Sequence, residues 1–451
     1  MSPRGKRLLG VFAAPLIAAS AMEVSAPALP ALATSPVTIT WYLTIEAEQD
    51  AWARQMVSMF EKTHPDIRVN LQLEPFSDYD TKLAALFASG NPPDIWTTWG
   101  SNGIGAYHAR NMTMDLTPLM QKYHFQTTGI PKNLLSYSNF GGQQYGIPFD
   151  SLGTYIFYNK TLFAKAHLQD PPYSWNDKSW TVSKLTADAK AITKNGNEPT
   201  KAVWGLLGAQ DNYGMSTMLL WGTSPFSPGK GYATKSNFLT PAASRTYNMW
   251  TDMMYKWHIE PTYSYQQTYG NGNAPALFNV GRIGMIWIGG WELATLTGAG
   301  ANAPQWGIAA VPWGTSDTAP TYTDVWMIAK GSQHPDQAFQ FIEFLTSKAA
   351  MDSYMSHTGY SPANSEYVPY WTHLYSKYVS PTDLQEVFNG AVAHGVECYC
   401  NELAGYGTLA TTVQNEIVPL LDGHESVSAG LKQLETSANQ TLQQIKASHG
   451  A

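Results

Sequence analysis

Twice between Thr38 and Thr98 the chain passes from a strand pattern through a helix pattern to another strand. Thr38–Thr44 (Thr-Ile-Thr-Trp-Tyr-Leu-Thr) is β-branched and aromatic, the composition of a half-buried strand. Trp52, Met56, Met59 and Phe60 then recur at helical spacing until His64-Pro65 stops them, and Ile67–Leu73 alternates as a second strand. Tyr79–Ser89 reads as a helix, Gly90-Asn91-Pro92-Pro93 as a turn and Asp94–Thr98 as a strand. Parallel strands need a crossover, so this run commits the opening of the chain to an α/β fold with a largely parallel sheet. Ligands of open α/β sheets bind beyond the carboxyl ends of the strands, so the loops after Thr44 and Thr98 are expected to face a crevice.

The rest of the chain continues in the same style. Helices are predicted near Val182–Thr193 and Ser244–Trp257, with an apolar strand at Ile283–Ile288. Pro335 opens an amphipathic helix in which Ala338, Phe341, Ile342 and Leu345 share a face. A final helix carries Val427, Leu431, Leu434, Ala438, Leu442 and Ile445. The sequence shows neither a solenoid repeat nor a low-complexity linker.

Arg4, Lys6 and Arg7 precede a mostly apolar run from Leu8 to Met22 and then small residues ending in Ala31-Leu32-Ala33. That order predicts a secretory signal over 1–33, and the apolar run is too short for a comfortable membrane span. Its removal leaves some 418 residues, more than one core usually serves, and takes the formal charge from −7 to −9. An acidic chain is a poor partner for nucleic acid or an anionic membrane surface. Cys398 and Cys400 flank a single residue. A bridge that short strains disulfide geometry, so two thiols are expected, and zinc spacing is absent. Charged residues are sparse at 14% and aromatic ones plentiful at 13%, with 16 Trp. Much of that is core packing, but Trp beside Gly, Asn, Ser and Asp also suits a neutral polyhydroxylated ligand.

The most telling stretch is residues 142–165, which holds a proline-locked turn, the lone acid Asp150, an apolar strand and the triplet Tyr158-Asn159-Lys160. It resembles the interlobe crossing of bacterial extracellular solute-binding proteins of the sugar-binding, maltose and oligosaccharide type. Ala85–Ile95 is similar to the helix, small-residue turn and Pro-Asp-aliphatic strand of that family. Phe278-Asn-Val-Gly-Arg-Ile-Gly-Met-Ile-Trp-Ile-Gly-Gly-Trp291 resembles its segment ending in Gly-x-Trp. Trp306–Trp313, Asp324–Lys330, His334–Thr346 and Thr358–Ala363 resemble the return crossing and the helix after it. The matches run in order along nearly the whole chain after residue 33.

The resemblance implies the two-lobe, type II periplasmic-binding-protein fold, with three crossings forming a hinge and a ligand cleft between the lobes. Lobe one is expected at 34–149 plus 315–357 and lobe two at 150–314 plus 358–451, with crossings near Asp150, Gly314 and His357. The implied function is capture of a neutral mono- or oligosaccharide by a secreted, periplasmic or extracellular monomer. The sugar would be handed to an ABC-transporter permease with its ATPase, without cofactor or catalysis. Many relatives carry a lipidated cysteine after the signal, and this sequence has none there.

Sugars need flat aromatic walls and a few fixed carboxylates or amides. Trp291 stands where relatives stack a ring on sugar, after Gly289 and Gly290, which permit close backbone approach. Trp287, in the preceding strand, is either a wall or core. Trp99, Ser101 and Asn102 follow the Pro-Asp-Ile strand at the rim of lobe one, and Glu46 follows the first strand as either a ligand contact or a helix-opening charge. Asp150 is the polar candidate on the first crossing, as ligand or as hinge cap. Asp324 and Trp326 lie on the return strand, where so large a ring would narrow the groove or add a wall. Tyr213, Trp221, Tyr360 and Tyr399 are further wall candidates from lobe two. Asp94 reads as structural and Arg282 as a solvated charge.

Two rivals remain. A glycerol phosphate or other anion binder would need a convergent Arg or Lys cluster. A secreted hydrolase would need two carboxylates across the scissile bond, which Asp150, Asp324 and Glu46 could supply.

Overall fold

The computed structural model describes residues 35–44, 47–99, 102–208, 211–228, 230–270, 274–298 and 303–448. The expected signal segment, Glu46 and Ser101 lie outside the described residues.

Two sheets organise the chain. The first runs in the order Ile67–Glu74, Val37–Thr44, Ile95–Thr97, Val325–Ile328, Ile147–Pro148. Its first three strands are parallel, as the β-α-β pattern requires, and Val325–Ile328 lies antiparallel between Ile95–Thr97 and Ile147–Pro148. The helices Ala47–Thr63 and Phe76–Ala88 form its crossovers. Pro335–Leu345 packs on it through Ala338, Phe341, Ile342 and Leu345, all buried as their spacing predicts.

The second sheet runs Val396–Glu397, Pro320–Tyr322, Leu152–Asn159, Ile283–Gly289, Trp204–Leu207, with Trp306–Ala309 also paired to Leu152–Asn159. Leu152–Asn159 is buried at every position, which is why it reads as a near-continuous apolar run rather than an alternation. The triplet Tyr158-Asn159-Lys160 marks its end. The Asn159 side chain accepts from the Leu162 N–H at 3.1 Å and so caps the helix Lys160–Lys165.

The chain passes between the sheets three times, and the three passages lie side by side. The Phe149 N–H donates to Asp324 O at 3.1 Å, Ser151 N–H to Ser361 O at 3.0 Å, and Ala363 N–H to Phe149 O at 3.0 Å. Asp150 and Pro362 form a bridge. The second passage is the one the sequence expects near Gly314. Pro320–Tyr322 pairs with Leu152–Gly153 and with Val396–Glu397 in the second sheet. Gly314 and Thr315 are tied to the same half, since Thr315 and Ser316 both donate to Leu220 O. The passage is therefore at Thr323–Asp324.

Three other expectations resolve locally. Cys398 and Cys400 are joined in a disulfide rather than left as thiols. Asp94 is structural, accepting from the Thr40 N–H at 2.8 Å and from the Ser332 hydroxyl. Arg282 is not simply solvated. It donates to Ala202 O and Pro199 O and lies over the Trp204 ring.

Candidate functional site

A cavity of about 760 Å³ opens between the two halves. Gln49 lines it from the helix Ala47–Thr63 of the first sheet, and Met355, Ser356 and His357 from the helix Lys348–Thr358 packed against that one. Trp291, Thr295, Asn279, Tyr360 and Tyr375 line it from the other half. The volume falls within the range of small-molecule sites.

Trp291 is placed by the strand that precedes it. Ile283–Gly289 runs antiparallel to Leu152–Asn159, and the Gly290 N–H donates to Gly153 O at 2.8 Å, which turns the chain at the sheet edge. The indole then folds back across Gly289, where any Cβ would overlap the ring. Its edge meets Tyr322 with centroids 4.9 Å apart, and it stays half-buried against the cavity. Glu292 follows it, with its carboxyl pushed up to about 7, mainly by burial, against hydrogen bonds from Thr295 and Trp291 that favour the charged form.

The third passage shapes the other wall. Gly359, with φ +74°, ends the helix Lys348–Thr358, a conformation that suits glycine. Its carbonyl accepts from the Trp371 indole at 2.9 Å and the Tyr375 hydroxyl at 2.7 Å. These bonds fix Tyr360 and Tyr375 along the cavity. The Thr44 hydroxyl donates to Gln49 Oε1 at 3.1 Å and holds that side chain at the helix start. Asn279 Oδ1 is buried without a hydrogen-bond partner among the described residues.

Of the residues singled out in the sequence, Trp291 and Tyr360 line this cavity. Several others do not. Asp150 is wholly buried, and its two oxygens are taken by the Asp324 N–H at 3.0 Å and the Tyr354 hydroxyl at 2.5 Å. Its place is the junction of the passages, not the cavity wall. Asp324 accepts from the Thr98 hydroxyl at 2.6 Å. Burial pushes both carboxyls up, Asp324 to about 6, and for Asp150 the neighbouring Asp324 charge adds to the effect.

Trp326 is 1% exposed, stacked on Phe149 at 4.3 Å and on Trp52 at 6.4 Å. It fills the core rather than a groove. Trp99 joins the same aromatic cluster through Trp52, Phe149 and Tyr354. Trp287 is buried against Trp250. Tyr399, also buried, packs on Phe226 and Tyr406. Tyr213 holds a φ of +55° and accepts from the Tyr247 hydroxyl on its carbonyl, and Trp221 lies under the Arg245 guanidinium. Asn102 faces Gly407 of the other half.

Gln49, Asn279, Thr295 and Tyr375 were not anticipated. Asn279 lies inside the Phe278–Trp291 motif, which offered a signal. The others depend on which helix face turns inward.

The sequence pattern defining the family described as bacterial extracellular solute-binding protein matches residues 43–352. A binding protein of Brucella abortus is 24% identical over 325 residues, 71% of this chain and 74% of that one. Among solved structures, an ABC substrate-binding protein of Listeria monocytogenes in complex with cycloalternan superposes with a TM-score of 0.75. It is 23% identical and covers 90% of this chain and 99% of its own. The cyclic alpha-maltosyl-1,6-maltose binding protein of Arthrobacter globiformis gives 0.69 at 20% identity, with 91% and 100% covered. Both superpositions extend over the two halves, so the fold is the two-lobe periplasmic-binding-protein fold. The chain therefore belongs to the bacterial extracellular solute-binding protein family.

Proposed function

We propose that this protein captures a neutral sugar or oligosaccharide outside the cytoplasmic membrane, closes on it by hinge motion and delivers it intact to an ABC importer. The observation that carries the reading is the character of the cavity. Its lining comes from both halves, it has an indole and two phenols as walls, and among the described residues lining it there is no Asp, Glu, Lys or Arg. Trp291, Tyr360 and Tyr375 would cover sugar ring faces. Gln49 and Asn279 would meet hydroxyls, and Asn279 Oδ1, without a partner among the described residues, suits a hydroxyl donor. The sugars bound by the Listeria and Arthrobacter proteins favour the same ligand class.

The two rivals fare worse on the same cavity. An anion would find no Lys or Arg among the described lining residues. Hydrolysis would need a carboxylate pair across the bond, and Asp150 and Asp324 are engaged at the passages between the sheets. In this reading lobe one is 36–149 plus 325–357, lobe two is 150–324 plus 358–451, and the protein acts as a secreted monomer with a permease and its ATPase. Among the described residues no helix is long and apolar enough to cross a membrane.

The test is a thermal-shift screen with maltose, maltotriose, trehalose and xylo- and cello-oligosaccharides, with glycerol 3-phosphate alongside. Each mixture is then assayed for cleavage. A ligand at 100 times its dissociation constant should add about 2.7 kcal/mol to stability. Stabilisation by glycerol 3-phosphate alone, or accumulating sugar fragments, would overturn the proposal.

A further inference from the structure

Away from the cavity the two halves meet at a second place. The short helix Ile104–Ala109 belongs to the half built on the first sheet, and Tyr399–Glu402 to the other. They approach with backbone against backbone. A Cβ on Gly103 would overlap the main chain of Asn401, and one on Gly105 the carbonyl of Glu402. Neither glycine has a positive φ, so backbone conformation does not require them. Close approach does.

Lys230 bolts this contact from the side. It is carried by the second half, where its neighbour Gly231 exchanges backbone hydrogen bonds with Glu402 and Ala404. Its ammonium reaches the first half and donates to Ser136 O at 2.9 Å, Tyr137 O at 2.7 Å and Asn139 O at 3.0 Å. The first two carbonyls end the helix Lys132–Tyr137, whose dipole favours a cation there. Phe140 lies under the ammonium at 4.5 Å and Glu402 stands 3.8 Å away. Three carbonyls, a ring face and a carboxylate satisfy one charge that is only partly withdrawn from water.

We infer that Gly103 and Gly105, seated on Asn401 and Glu402 and bolted by Lys230, form a latch that holds the lobes shut without touching the solute. The inference rests on the capture reading above for its biological use. Solute affinity includes the stability of the closed form, so a latch tightens binding from a distance. It also explains the order Asn102-Gly103-Ile104-Gly105 after the third strand, which a ligand contact alone leaves unexplained.

Gly105→Ala and Lys230→Met test it. Alanine is the better helix former, so Gly105→Ala should keep the melting temperature while pushing the seat apart. With maltotriose as probe, each variant should release ligand at least roughly ten-fold faster and show a larger radius of gyration by X-ray scattering at saturation. Lys230→Arg should recover part of the loss. Ligand-free hydrogen exchange separates this inference from the capture reading: amides 136–139 and 401–404 should exchange faster in both variants. Equal exchange in wild type and variants would overturn the latch whatever maltotriose does. Lack of maltotriose binding by wild type, with faster exchange in the variants, would instead count against the ligand class and for the latch.

Discussion

The main-chain N–H of Asp324 donates to the Asp150 carboxylate at 3.0 Å, so one buried acid ties the second passage between the sheets to the first. The Tyr354 hydroxyl adds the helix that leads into the third. Burial and the Asp324 charge both push the Asp150 carboxyl up, and a neutral amide keeps one of the two acceptor oxygens. Asp150→Asn should therefore lose less stability than Asp150→Ala. Asp150→Ala strands two buried donors and should cost about 3 kcal/mol. Chemical denaturation of the two variants checks this, and equal losses would remove Asp150 from its structural role.

Stability should fall as pH rises from acid toward neutral. Glu292 and Glu402 are pushed up to about 7 and Asp324 to about 6, with Asp150 and Glu397 also raised, and burial is the first cause of each. In the unfolded chain such groups titrate near pH 4. Folding therefore takes up protons, and the stabilisation, complete below that pH, is lost as pH climbs through 6 to 7. His108 acts oppositely, because burial lowers its pKa and its contribution is lost on acidification. Five carboxyls outweigh one imidazole. The melting temperature at pH 5.5 should exceed that at pH 8 at equal ionic strength, and Glu292→Gln with Glu402→Gln should flatten the slope.

The opening β-α-β unit was legible because crossovers between parallel strands must be helical, and amphipathic spacing exposes them. Trp291 was singled out through the resemblance of Phe278–Trp291 to a family segment, and the structure places it on the cavity. The core position of Trp326 and Trp287 was not legible, since strands buried on both faces give indoles on either face the same sequence appearance. The passage at Thr323–Asp324 was hidden by a strand of three residues that begins with proline, a position where a strand signal is weak. Asp150 was found by its place in the chain, but only tertiary structure could decide what its oxygens meet.

Trp291 and Trp326 make opposite predictions from the same substitution. Trp291 is half-buried on the cavity, so Trp291→Ala should lower sugar affinity by about 2 kcal/mol, roughly thirty-fold, with little change in melting. Trp326 fills a sealed aromatic core. Trp326→Ala should cost about 3–5 kcal/mol of stability. Calorimetric titration beside a melting curve reads both quantities, and a Trp291→Ala protein that binds like wild type would remove the cavity's main wall.

Gly289→Ala isolates the orientation of that wall from its presence. Gly289 is held in register against Thr154 by the strand pair, so the backbone has little freedom to retreat from a new methyl group. The atoms in its way are those of the Trp291 six-membered ring, and the indole, half-exposed, is what must swing. Affinity should fall about as far as in Trp291→Ala, while the melting temperature changes little. If both substitutions act through the indole, Gly289→Ala combined with Trp291→Ala should bind no more weakly than Trp291→Ala alone. Additive losses in that double variant would mean that Gly289 meets the solute directly and that the ring is not what the glycine serves.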